Sequence, residues 1–325
     1  MAALADWSLA RAPTAHALDD GALRAWCARV GMPPPPPPPP VPAPSNRPFG
    51  IADAALLARM VMAQSGAIPF ENLDVTLRAH VALEPAALLS KLVARRRGGF
   101  CLENNGLLAS ALRAAGFTVR LRHARVWMRA ASYTPLEPPM PRQHMVLVVR
   151  CDAAAAGEEF LVDAGFGGGG PAAPLLLAAA DPVRAGGDLF RLTRGDAAAG
   201  EDSWILWGLQ NGAWLRLYSF EHTGLDAPIV HFADFVLCSH FVQLAPGTLF
   251  HKLAFASLPT ADGRITLVHR AVRRRGAEHP GELPAVTVTP LADARAYRAA
   301  AAKFFGIELD DAQAQVLFDA SAPPA

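Results

Sequence analysis

Along the first third of the chain, apolar residues recur at the spacing of a helix. Over 4–31, Leu18, Leu23, Trp26, Cys27 and Val30 fall three to five positions apart, and Gly31 is placed to cap the run. The same period returns at 54–65 with Leu56, Leu57, Met60 and Val61, and again at 85–95. It is clearest over 98–116, where Leu102, Leu107, Leu108, Ala111, Leu112 and Ala115 share a face and Gly116 closes the helix. Beyond 117 the period shortens towards two. Segments 118–127, 145–151, 159–163, 204–209 and 214–218 read as strands, spaced for an antiparallel barrel or curled sheet. An α+β ending follows: 250–258 and 264–272 flank a hairpin turn at Asp262-Gly263, and 293–305 is helical. There is no internal repeat.

Proline breaks this pattern in one place. Of 29 prolines, 11 lie at 33–48, eight of them consecutive at 33–40. A residue with a fixed φ and no N–H cannot continue a helix, so an exposed polyproline II segment or loop is expected between two N-terminal helices. A second concentration, Pro135, Pro138, Pro139 and Pro141, leads up to His144. Length and composition add limits. At 325 residues, one large domain or two to three small ones fit; 52% of residues are hydrophobic, much of that alanine, so strong core formers are fewer than the figure suggests. A net charge of +1 gives no sustained positive field for nucleic-acid phosphates. No apolar run is long enough to cross a bilayer and no leader pattern opens the chain, so a soluble cytoplasmic protein is expected. Cys27, Cys101, Cys151 and Cys238 are scattered, without zinc spacing, so no metal is expected and any special cysteine acts alone.

One cysteine stands apart. In Arg97-Gly98-Gly99-Phe100-Cys101-Leu102-Glu103-Asn104-Asn105 a glycine pair permits a sharp turn and a helix begins just after it. Cys101 then sits in a first helical turn, where unpaired N–H groups and the helix dipole favour a thiolate. His144 opens the strand that follows the proline-rich loop, and Asp163 closes the strand nineteen residues on. If those strands are antiparallel neighbours, imidazole and carboxylate can hydrogen-bond, and with Cys101 they form a Cys-His-Asp relay. Asp163 could instead simply begin a turn. The glycines at 167–170 lack the Lys-Ser/Thr of a phosphate-binding loop and read as a flexible turn.

Four ordered motifs carry a resemblance: Ile68-Pro69-Phe70-Glu71-Asn72-Leu73-Asp74, the Arg97–Asn105 cluster, His144 before its strand, and Val162-Asp163-Ala164-Gly165-Phe166-Gly167. In these the chain resembles the arylamine N-acetyltransferases over roughly 20–180, more weakly to about 270. The resemblance implies a helical bundle at 1–117 carrying the cysteine, a β-barrel at 118–225 carrying histidine and aspartate, and an α/β lid at 226–325, around a core like that of cysteine proteases. It implies Cys101 as the acetylated nucleophile, His144 as its base, Asp163 as the orienting carboxylate, Phe70 and Phe166 lining the acceptor pocket, and Glu71 with Arg97 as a structural ion pair. It also implies acetyl-CoA as acyl donor, arylamines or arylhydrazines as acceptors, ping-pong kinetics and a place in xenobiotic metabolism.

The chain departs from the family pattern in its proline inserts and at Ser239, where many relatives carry Asn. Arg273-Arg274-Arg275 reads as a solvated surface turn. A macrolactam-closing amide synthase acting on a carrier-bound polyketide shares the same parts; a cysteine hydrolase or transglutaminase shares the relay. A non-enzymatic protein with a polyproline segment for an SH3-like partner is the remaining reading.

Overall fold

The helical N-terminal third and strand-rich middle are both realised in the computed structural model, which describes residues 17–36, 49, 51–129, 134–135, 141–151, 158–185, 187–195, 202–210, 212–224, 228–245, 248–276 and 285–321. Most of the proline insert, and the first 16 residues, lie outside these, as does the proposed SH3-like contact beyond residue 36. Within the described residues the first helix begins at Asp20, and the part of the expected helix at 4–16 lies outside them. α1 (Asp20–Val30) starts where the Asp19 carboxylate accepts from Ala22 N–H at 2.8 Å, and ends in left-handed Gly31. α2 (Ala54–Ala67) is capped by Asp53. A two-residue strand β1 (Phe70–Glu71) and the turn α3 (Leu73–Thr76) follow. The expected helix at 85–95 is α4 (Pro85–Leu88) running into a π-helical turn, Leu89–Ala94. α5 (Cys101–Ala114) is buried on every side over its first twelve residues, which makes it the central helix.

Eight antiparallel strands then build a nearly closed barrel. β2 (Thr118–Val126) is followed by the small hairpin β3 (Met128–Arg129) and β4 (Thr134–Pro135), then β5 (His144–Arg150), β6 (Glu159–Val162), β7 (Leu175–Leu176), β8 (Val183–Ala185), β9 (Asp188–Arg194), β10 (Trp204–Gln210) and β11 (Ala213–Phe220). The sheet order is β7-β6-β5-β2-β11-β10-β9-β8. Alternation sends Val146, Val148, Leu161, Leu206 and Phe190 to the barrel interior. Val119, Leu121, Leu147 and Val149 face outward onto α5, closing the core shared with Trp26, Leu57 and Met60.

The C-terminal part opens with α6 (Phe232–Leu244) and the turn α7 (Leu249–Lys252). Strands β12 (Ala256–Pro259), β13 (Gly263–Val268), β14 (Ala271–Gly276) and β15 (Ala285–Pro290) complete a second antiparallel sheet, covered by α8 (Ala294–Phe305) and α9 (Asp311–Ala320). The hairpin at Asp262-Gly263 is as expected, but 250–255 is not strand: its first residues finish α7. The edge neighbour of β12 is β1, with Phe70 opposite Ser257, so the segment beside the cysteine helix is part of the C-terminal sheet. Asn72 fastens the same join, donating to the Leu253 carbonyl at 2.7 Å and accepting from Phe255 N–H at 2.9 Å. Arg273-Arg274-Arg275 is not a turn but part of β14; Arg275 Nη2 donates to both carboxylate oxygens of Asp188 in the barrel, each at 2.6 Å. No described helix is long and apolar enough to cross a membrane.

Candidate active site

The turn before α5 requires glycine for lack of space. A Cβ on Gly98 would stand 2.3 Å from the Pro69 carbonyl oxygen. With the chain so close to β1, Phe100 becomes the residue before the helix, and its N–H donates to Glu103 Oε2 at 3.0 Å. Cys101 is then the first helical residue, 7% exposed, with its N–H at the open end of the helix.

Strands β5 and β6 are antiparallel neighbours, Leu147 opposite Val162, which brings the start of one strand to the end of the other. There His144 Nε2 meets Asp163 Oδ2 at 2.8 Å, both residues buried, and the Cys101 sulfur lies within hydrogen-bonding reach of the same imidazole. Burial works against the imidazolium, but Asp163 and Cys101 more than offset it and push His144 up to about 10. Burial likewise opposes ionisation of Asp163, yet His144, Asn105 and the Gly165 N–H hold it below its ordinary value. Asp163 Oδ1 accepts from Asn105 Nδ2 at 2.9 Å and Gly165 N–H at 2.8 Å. Asn105 also donates to the Met145 carbonyl at 2.7 Å and accepts from Ala164 N–H at 2.9 Å, so one amide ties α5, β5 and the Asp163 loop together. Gly165 lets that loop rest on the helix: a Cβ there would fall 2.7 Å from Cys101 Cα. The His144 ring is packed by Phe166 and Tyr218, with centroids at 5.3 and 5.2 Å.

Beneath the helix start lies a buried charge network. Arg97 donates to Glu71 Oε1 at 3.0 and 2.8 Å and to Asp74 Oδ1 at 2.8 Å. Lys91 bridges Asp74 Oδ2 and Glu103 Oε1, each at 2.8 Å. The expected Glu71–Arg97 pair is thus one edge of a five-residue cluster with three carboxylates and two cations. Burial pushes Glu103 up to about 7 against the pull of Lys91, and the three carboxylates together raise Lys91 despite its burial.

Phe70 and Phe166 line a narrow cleft beside Asp163 with Gly167, Ser257 and Arg264. Phe70 is stacked on Phe255 at 5.2 Å and edge-on to Phe250 at 6.0 Å. The glycines at 167–170 form the expected turn beside the site, at 168–169. Arg264 from β13 donates to the Gly167 carbonyl at 2.7 Å and the Gly170 carbonyl at 3.0 Å, pinning the loop that carries Phe166. Ser239 is buried in α6, where its hydroxyl accepts from Gln243 Nε2 at 2.7 Å. Asn105, Tyr218, Arg264 and Lys91 were not singled out from the sequence. Two had a signal: Asn105 falls one helical turn after Cys101, and Lys91 is one of only three lysines in the chain, set among Leu89, Leu92 and Val93. Tyr218 and Arg264 had none, because they reach the site from distant strands. Among the described residues no cluster of histidine, cysteine and carboxylate side chains is arranged to hold a metal ion.

A barrel flanked by a cysteine-bearing helical layer and a second sheet defines a class that known proteins share. The family model described as N-acetyltransferase matches residues 53–314. Over 233 residues the chain is 40% identical to the arylamine N-acetyltransferase of Mycolicibacterium smegmatis, covering 70% of this chain and 78% of the relative. It is 33% identical over 225 residues to the arylamine N-acetyltransferase / N-hydroxyarylamine O-acetyltransferase of Salmonella typhimurium, covering 69% and 73%. Among solved structures, the Nocardia farcinica arylamine N-acetyltransferase superposes with a TM-score of 0.76 at 28% identity, over 94% of this chain and 97% of that one. The Mycobacterium marinum arylamine N-acetyltransferase in complex with CoA superposes with a TM-score of 0.74 at 27% identity, over 92% and 99%. The chain belongs to the arylamine N-acetyltransferase family and is an enzyme of the acyltransferase class. These matches give the macrolactam-closing reading no support.

Proposed function

We propose that this enzyme moves an acetyl group from acetyl-CoA to the nitrogen of arylamines and arylhydrazines, through a thioester on Cys101 and by ping-pong kinetics. The observation that carries the reading is the relay itself: a cysteine at the open end of a buried helix, facing a histidine held protonated by an aspartate 2.8 Å away. In the first half-reaction the Cys101 thiolate attacks the thioester carbonyl, the carbon–sulfur bond to coenzyme A breaks, and His144 gives the leaving thiolate its proton. In the second, the amine attacks the acetyl-Cys101 carbonyl, neutral His144 takes the amine proton, and the Cys101 thiolate leaves. The oxyanion of each step faces the N–H groups at the start of α5. Phe70 and Phe166 shape the acceptor pocket, while Glu71 and Arg97 act structurally, holding the helix start against β1. A helical part at 1–117, a barrel at 118–225 and a lid at 226–325 would then meet at one relay, and handling of foreign amines would be its place in metabolism.

Incubation with acetyl-CoA and no amine is expected to add one acetyl group to Cys101, read by intact-mass and peptide mass spectrometry, and Cys101→Ser to remove the adduct. A folded wild-type protein that stays unmodified at neutral pH would sink the proposal. Arg264→Ala is expected to act on the second half-reaction. Two charge-assisted bonds to the Phe166 loop are lost, so aminolysis of the acetyl-enzyme should slow about tenfold while formation of the adduct changes little. Single-turnover kinetics with a simple arylamine separates the two steps.

A further inference from the structure

One polar side chain in the cleft beside the relay has nothing to bond. Beside Phe70 and Phe166 the cleft wall is apolar at Ile68, Pro171 and Pro259, and neither Cys101 nor His144 lines it. Its other polar side chains are spent. Asp163 Oδ2 meets His144, and Oδ1 accepts from Asn105 and the Gly165 N–H. Arg264 donates to the Gly167 and Gly170 carbonyls, and Ser257 Oγ lies 3.2 Å from Thr266 Oγ1. Ser65 is the exception among the described residues of the wall: it is 5% exposed, and its buried hydroxyl has no hydrogen-bond partner within the protein. A serine inside a helix commonly returns its hydroxyl to the carbonyl one turn back, and this one does not. Such a group is explained by a ligand that completes it.

The packing of α2 holds Ser65 at the cleft. The neighbouring Gln64 accepts from Trp26 Nε1 at 2.8 Å and donates to the Asn104 carbonyl at 2.8 Å, which fixes the rotation of α2 against the cysteine helix. Ser65, in the last turn of α2, is set on the cleft wall as a result. The facing wall is equally fixed. Gly167 has a φ of +81°, and a Cβ there would stand 3.1 Å from the Phe70 ring, so the loop that carries Phe166 lies directly on Phe70. The space left is about 20 Å³, room for one water-sized group and not for a ring. An apolar slot of that size, with one unpaired hydroxyl on its wall, selects for a single polar atom.

We infer that Ser65 determines acceptor specificity: its hydroxyl bonds a one-atom polar substituent, a ring hydroxyl or ring amino group, carried opposite the attacking nitrogen. The inference rests on the proposed transfer to arylamines and names the acceptors favoured within that class. With the nitrogen at the acetyl-Cys101 carbonyl and the ring beside Phe70 and Phe166, the far substituent is the one that enters a cleft lined by neither Cys101 nor His144. A methyl group of similar size fills the slot but leaves Ser65 unpaired, and a site built on a hydrogen bond discriminates against such an analogue.

The test uses the full-length enzyme with acetyl-CoA and two acceptors that differ by hydroxyl against methyl, 4-aminophenol and p-toluidine. The readout is the ratio of their kcat/KM values for the N-acetyl products. Ser65→Ala should lower the 4-aminophenol to p-toluidine ratio about tenfold, the loss of one buried hydrogen bond. Comparing the ratio between the two proteins cancels the intrinsic reactivity of each amine, and measuring it within one sample cancels partial misfolding. A second measurement separates binding from a structural role. Without acceptor, Ser65→Ala should unfold at the wild-type temperature or above it, because a hydroxyl with no partner leaves the interior. A ratio that Ser65→Ala leaves unmoved overturns the inference. So does a variant that unfolds clearly before wild type, since its hydroxyl was then already bonded within the fold. Wild-type protein that forms no acetyl-Cys101 from acetyl-CoA would instead defeat the proposed function, and this inference with it.

Discussion

Asp163→Asn is expected to slow acetylation of Cys101 by about four orders of magnitude while leaving the fold intact. The reason is a matter of which atom can face which. Asp163 Oδ1 accepts from two donors, Asn105 Nδ2 and the Gly165 N–H. In the asparagine the carbonyl oxygen must take that position, and its NH2 then stands where Oδ2 was, against His144 Nε2. Nε2 is forced to accept, so the ring proton moves to Nδ1, the nitrogen turned towards Cys101. Neither the base nor the imidazolium can then form. A linked result should appear in stability. His144 has a folded-state pKa of about 10, raised above its ordinary 6.5, so its stabilisation is complete below 6.5 and is lost as pH climbs to about 10. Asp163, lowered, contributes above its ordinary 3.8 and loses that contribution as pH falls through its depressed folded value. The variant should lose both slopes. Urea denaturation at pH 7 and pH 10, together with pH-dependent alkylation of Cys101, checks this. An asparagine variant that alkylates with the wild-type pH profile would place the orienting role elsewhere.

What could be seen in the sequence was whatever each element declares at its own ends. Cys101, His144 and Asp163 all sit at element boundaries marked by glycine or by an apolar run, so a spacing argument could bring them together. α6 was invisible because apolar residues surround it: Leu237, Phe241 and Leu244 are exposed while Phe235 and Val242 are buried, which erases the contrast that periodicity needs. β15, an edge strand with all six residues exposed, did carry a signal that was passed over, the β-branched alternation Val286-Thr287-Val288-Thr289. The π-helical turn at Leu89–Ala94 was hidden as α6 was, since a helical pattern at 85–95 does not say where one extra residue will rotate Lys91 inward. Arg264 became essential to the Gly167 loop only through the join of two sheets, which no local pattern encodes.

Lys91 supports the other large expected effect. Lys91→Met would leave Glu103, wholly buried, and Asp74 without the ammonium that bridges them at 2.8 Å, and breaking one side of a buried pair costs about 3–5 kcal/mol. Arg97 still holds Asp74, so the loss concentrates on Glu103. Burial already pushes that carboxyl up to about 7, and without Lys91 it should rise further. A carboxyl with a raised folded pKa keeps its proton in the native state while the unfolded chain gives it up, so both proteins lose stability as pH rises above 4.5, and the variant falls behind wild type with pH only above about 7, where wild-type Glu103 ionises and the variant's does not. The stability gap between the variant and wild type should therefore be wider at pH 8 than at pH 5, by about 1 kcal/mol. Adding Glu103→Gln removes the stranded charge yet keeps an amide oxygen to accept the Phe100 N–H that starts the cysteine helix. The double variant should recover most of the stability lost at pH 8, and with it the rate of Cys101 acetylation. Equal denaturation midpoints for wild type and Lys91→Met at pH 8, or a double variant no better than the single one, would show that the helix start is held by packing and not by this network.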